Sequence, residues 1–120
     1  MVQPGSKLKV CDNSGALVLK LISILRGKPV AKVGDVVSGS VQKASSQGTV
    51  KEHDVVRAVV VRARKETRRS DGSYIRFDDN ACVLVDKNGR PVGNRVFGPV
   101  AREIREQGFG EVASLAKEVV

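Results

Sequence analysis

The chain has 120 residues, with 21 Lys plus Arg against 13 Asp plus Glu and a formal net charge of +8. That length suits one domain with its own core, and the charge disfavours basic partners and attracts polyanions, chiefly nucleic acid or an anionic membrane surface. A balance of this size also suits plain solubility, so where the charge lies decides more. No window approaches the ~18 uninterrupted apolar residues of a membrane span, and MVQPGSKLKV lacks the apolar heart of a signal peptide, so a membrane partner is not expected.

In chain order, six runs read as strands: Lys7–Cys11, Ala16–Leu25, Asp35–Lys43, Asp54–Arg64, Tyr74–Phe77 and Ala81–Asp86. Between them Gly, Asn, Asp and Pro gather in DNSG (Asp12–Gly15), GKP (Gly27–Pro29), VGD (Val33–Asp35), SDG (Ser70–Gly72) and KNGRP (Lys87–Pro91). Asn88-Gly89 is a strong tight-hairpin signal. Short Val-, Ile- and Leu-rich strands at regular spacing predict a mainly β fold, a barrel or a sandwich. Closure into a barrel also removes exposed strand edges. After Pro99 the apolar spacing changes to three and four residues. This predicts two short helices, Val100–Gln107 and Glu111–Val120, separated by Gly108–Gly110. The expected organisation is a single domain over 1–120, with 1–98 the β-barrel and 99–120 a helical cap.

Little in the chain suits catalysis. His53 stands alone before a strand, with no second histidine for a triad. Cys11 and Cys82 share no metal-ligand spacing and read as small buried core residues rather than as a disulfide. Asp78-Asp79 and Glu103/Glu106 read as turn and helix-surface charges. No glycine-rich phosphate loop is present. We therefore expect no enzyme activity, cofactor or metal.

The positive charge is concentrated. Arg62, Arg64, Lys65, Arg68, Arg69 and Arg76 fall within fifteen residues, and smaller groups lie at Lys7/Lys9 and at Arg26, Lys28 and Lys32. Period-two alternation sends Arg62 and Arg64 to one face of a strand. ETRRSDG then leaves the sheet and returns through YIRF, giving a hairpin with a charged tip. A solvated tip, partly neutralised by Glu66 and Asp71, is the plain reading. A phosphate-binding finger is favoured over it, because Arg supplies a planar bidentate donor fork. With no Trp, one Tyr and three Phe, of which Phe77 and Phe97 read as core, base stacking is disfavoured. Binding through phosphates and shape, as in structured RNA, is expected instead. The helices carry too many glutamates to read a DNA major groove.

Ala58–Val61, nine residues, Asp71-Gly72, four residues, Phe77, two residues, Asn80, two residues and Val83-Leu84 together resemble the signature of the universal large-subunit ribosomal protein fourteen family. LKVCDNSGA (Leu8–Ala16), VGDVV (Val33–Val37), NRVFGPVAREIRE (Asn94–Glu106) and SLAKEVV (Ser114–Val120) resemble it in the same order along the whole chain. The resemblance implies a five-stranded closed β-barrel with an arginine-rich hairpin and two short C-terminal helices. It implies contact with large-subunit ribosomal RNA, bridges to small-subunit RNA, and the third and (in bacteria) nineteenth large-subunit proteins as neighbours. By motif position it implies RNA contacts at the six hairpin cations and at Asn13 and Ser14. Asn94 and Arg95 match the face where the family's ribosome-silencing factor docks. This sequence departs from the family at several points. Ser70 replaces a proline, Arg26–Asp35 is short and has lost basic residues, Lys51–Asp54 is less basic, and Glu111 stands on an often basic face. Such thinned charge leans toward an organellar, mitochondrial ribosome over a bacterial one. The competing reading is a basic β-barrel adaptor for an acidic protein.

Overall fold

The computed structural model describes residues 2–46 and 48–120. In β1 (Lys7–Val10), Leu8 and Val10 turn inward while Lys7 and Lys9 face out. The DNSG turn that follows is built on buried Asp12. Its carboxylate accepts from Ser14 N (3.1 Å), Ser14 Oγ (2.6 Å) and Leu84 N (3.0 Å), tying the turn to a distant strand. β2 (Ala16–Ile24) buries Ala16, Leu19, Leu21 and Ile24, and register shifts along its pairing with β3 (Val36–Ala44) interrupt strict alternation. A 3-10 turn at Leu25–Gly27 lies between them. β4 (Val55–Arg62) follows, then a small hairpin of β5 (Thr67–Arg68) and β6 (Tyr74–Ile75), then β7 (Ala81–Val85).

The barrel closes in the order β1-β2-β3-β4-β7, with β1 and β7 parallel and the other neighbours antiparallel. Its lumen is filled by Leu8, Leu19, Val37, Val41, Ala58, Val60, Cys82 and Leu84 among others. A second core lies outside the barrel, where Val59, Val61, Val83 and Val85 meet Val100, Ile104 and Val112. This explains why β4 and β7 read as continuous apolar runs: both of their faces are covered. The covering elements are α1 (Glu103–Glu106) and α2 (Gly110–Leu115). Ile104 is fully buried in this layer, and truncating it to alanine costs roughly 2–5 kcal/mol.

Both helices are shorter than their apolar spacing predicts. The flanks are drawn into strand-like pairing instead: Val100 N donates to Glu118 O (3.0 Å) and Val120 N to Val100 O (2.9 Å). Val100 and Val119 form a parallel bridge, and Ala101 N reaches Val61 O (3.1 Å). Tertiary pairing overrides helical periodicity at both ends. Phe97, expected in the core, is 53% exposed, while Phe77 packs against the lumen cluster as anticipated. Cys11 and Cys82 are buried and free, and the Cys11 thiol lies 3.4 Å from Cys82 O.

Candidate nucleic-acid interface

β4 carries a bulge between Val60 and Arg62, whose partners Cys82 and Ala81 are adjacent on β7. The strand stops at Arg62, and a bend at Arg64 and Lys65 swings the chain into the hairpin. β5 and β6 pair Thr67 with Ile75 and Arg68 with Tyr74. The tip is closed by Arg69 N to Ser73 O (2.9 Å) and Gly72 N to Arg69 O (3.0 Å). Asp71 accepts from Ser73 N (3.0 Å) and Ser73 Oγ (2.6 Å), which holds its carboxyl below the usual carboxylate range. At the base, Arg64 N donates to Asn80 Oδ1 (2.8 Å), Arg64 Nε to Asp78 O (2.8 Å) and Phe77 N to Ala63 O (3.0 Å). The finger is therefore fixed at both ends.

Alongside it runs a groove of about 540 Å³ lined by Lys32, Arg64, Lys65, Glu66, Thr67, Arg68, Tyr74 and Arg76. All five of its cations are exposed. Among the described residues, Lys32, Lys65, Arg68 and Arg76 enter no ion pair. Exposed cations converging on a fixed concavity without carboxylate partners are equipped to take an anionic backbone.

Four residues expected at an RNA surface are engaged within the protein. Arg62 is 6% exposed. It donates to both carboxylate oxygens of Asp79 (2.9 and 3.3 Å) and, through Nη1, to Phe97 O (3.0 Å) and Pro99 O (2.9 Å). The bulge and the end of the strand separate it from Arg64, so the shared face drawn from alternation is not formed. Gly98 completes the seat: with φ +80° it lies so close that a Cβ would stand 2.6 Å from Arg62 Nη1. Arg69 pairs with Glu103 (3.0 and 3.2 Å) and donates to the Val120 backbone oxygen (2.6 Å), fastening the hairpin to α1. Ser14 is buried with its hydroxyl on Asp12. Asn13 is exposed, but its Oδ1 accepts from Asn94 N (2.9 Å) and Arg95 N (3.1 Å), and its Nδ2 donates to Asn94 Oδ1.

The remaining cations fall into separate groups. Lys32 joins the hairpin groove, whereas Arg26 and Lys28 line another hollow with Leu25, Asp35, Gln107 and Phe109. There Lys28 pairs with Asp35 at 3.1 Å. Lys7 and Lys9 project from β1, and Lys20, in register with Lys7, extends their row. Asn94 and Arg95 are exposed beside Phe97 and near Val92, itself 47% exposed. Glu111 stands 3.8 Å from Arg90 in a solvated pair worth little. Asp79 and Glu103, read from the sequence as turn and helix-surface charges, instead hold Arg62 and Arg69, which lie 17 and 34 residues away. Sequence reasoning also assigned Tyr74 no role in the site. Among the described residues, no group of three or more His, Cys, Asp or Glu could hold a metal ion.

The family described as ribosomal protein L14p/L23e matches residues 1–120. The large ribosomal subunit protein uL14 of Petrotoga mobilis is 59% identical over 121 residues, covering 99% of this chain and 99% of that protein.

Proposed function

The chain belongs to the ribosomal protein L14p/L23e family, and from that premise we propose that it is a structural constituent of the large ribosomal subunit. In this reading it binds ribosomal RNA by phosphate and shape contacts and contributes to bridges with small-subunit RNA. The observation that carries the reading is the hairpin groove, where exposed cations with no ion-pair partner among the described residues gather along a finger anchored at its base. A fixed scaffold spends little ordering entropy on binding, so charge neutralisation goes into pinning RNA segments together. Barrel and cap act as one unit, because Arg62 bonds to both and Arg69 ties the finger to α1.

Lys7, Lys9, Arg26 and Lys28 supply further phosphate contacts away from the groove. The exposed Val92, Asn94, Arg95 and Phe97 suit a protein neighbour, which fits the third and nineteenth large-subunit proteins and the silencing factor that the resemblance implies. The Petrotoga mobilis relative is bacterial and lends the organellar leaning no support, which favours a bacterial-type ribosome in this reading. An adaptor role without RNA gains nothing from the family membership. The test is co-sedimentation: the protein should travel with large subunits and leave them only at high salt. Migration free of ribosomes at low salt would overturn the proposal.

A further inference from the structure

Tyr74 is 61% exposed and stands on β6 directly opposite Arg68. Its ring shares the groove with Arg64, Lys65, Arg68 and Arg76. Outward alternation on a two-residue strand accounts for the direction of the side chain, but not for a large aromatic left uncovered among cations. Directly opposite residues on antiparallel strands stand about 5 Å apart. The Arg68 guanidinium is therefore within reach of a phosphate flanking any group laid on the Tyr74 face. At about 540 Å³ the groove has room for more than a phosphate, within the range of sites that take whole small molecules. A flat apolar face walled by phosphate donors is the combination that an unstacked nucleotide requires.

Building on the RNA-binding reading above, we propose that Tyr74 is a stacking platform for one unpaired base, with Arg68 and Arg76 holding the adjoining phosphates. The scarcity of aromatic residues argues against stacking across a broad surface, yet a single base needs a single ring.

The chain offers its own reporter, since it contains one tyrosine and no tryptophan. The full-length protein would be titrated with three RNA hairpins of the same helix: one with a single bulged adenosine, one with an abasic residue at the bulge, and one fully paired. Affinities of the protein and its variants are read from the anisotropy of end-labelled RNA, and tyrosine emission of the unaltered protein, corrected for RNA absorption, reports stacking on the ring. The bulged adenosine should bind about tenfold more tightly than the abasic hairpin and quench the emission. Tyr74→Phe should keep the preference. Tyr74→Ala should abolish it, so that bulged and abasic hairpins bind alike. Equal affinity for bulged and abasic hairpins with unquenched emission overturns the stacking role alone, as does a preference that survives Tyr74→Ala. Absence of binding to all three hairpins at low salt overturns the RNA reading with it.

Discussion

Arg62 and Asp79 face each other in a two-point pair, Nε to Oδ1 at 2.9 Å and Nη2 to Oδ2 at 3.3 Å. The arginine side chain is 7% exposed and the carboxylate 34%, so the charge is covered mainly on the cation's side. The other end of the guanidinium satisfies two carbonyls of the segment entering the cap. One side chain thus joins the end of β4, the approach to β7 and the start of the cap.

Arg62→Ala should therefore lower stability rather than RNA affinity. It strands an aspartate and two carbonyls, at a cost of about 2–4 kcal/mol in denaturant unfolding. The slope of log affinity for RNA against log salt should stay unchanged. A slope reduced by a full phosphate contact would return Arg62 to the interface.

Arg68 and Arg76 should show the opposite pattern. Each change to alanine should flatten the salt slope by roughly one while moving stability by less than about 0.5 kcal/mol. Arg69→Ala, despite its place beside Arg68 in the sequence, should behave like Arg62. Losing its Glu103 and Val120 contacts costs about 1–3 kcal/mol with little change in slope. Salt titrations of the three variants beside their melting curves separate the two groups.

Ser70→Pro should stiffen the finger. Ser70 follows Arg69 in a turn closed by Gly72 N to Arg69 O (3.0 Å), and this second turn position favours proline. Among the described residues, the Ser70 N–H donates to no partner, so no hydrogen bond is lost. A gain of about 0.4–1 kcal/mol is expected, read as slower amide exchange at Arg69 and Ser73. A fall in stability would show that the backbone at Ser70 does not accept a proline ring.

Burial raises the Cys11 thiol from its ordinary 9.0 to about 11 and pushes Cys82 well above the same value. Because the folded values lie above the unfolded ones, the folded state holds these protons longer. For Cys11 this stability is fully present below pH 9.0 and is lost as pH rises through about 11, and burial of Cys82 acts in the same direction. Denaturant midpoints should fall over that interval, and neither thiol should be alkylated at pH 8 until the protein unfolds. Rapid labelling of the native protein would contradict the burial.

Much of the barrel is written locally. Leu8 and Val10 alternate with Lys7 and Lys9, and the Asn88-Gly89 turn closes under Asp86, which accepts from Asn88 N and Arg90 N. What escaped the sequence depends on contacts between distant segments. The helix ends dissolve because Val100 and Val119 pair, a partnership that apolar spacing does not encode. The candidate interface divides for the same reason. Every hairpin cation looks alike in one dimension, and only the bulge in β4 and the positions of Asp79 and Glu103 decide which face solvent. Phe97 misleads in the reverse direction, since an apolar residue in a Val-rich segment reads as core whether or not a neighbour covers it.

The parallel seam between β1 and β7 joins residues far apart in the chain, Lys9 to Ala81 and Val10 to Cys82, with the Cys11 to Cys82 contact spanning 71 residues. Antiparallel hairpins such as β2–β3 assemble from neighbouring sequence, whereas the seam must await a long loop closure. During synthesis the barrel therefore stays an open sheet until Cys82 has left the tunnel, and the cap cannot settle on β4 and β7 before its own residues follow. Until then two unpaired strand edges are available for wrong partners. The last third of the chain thus sets the moment at which a growing polypeptide becomes a closed particle.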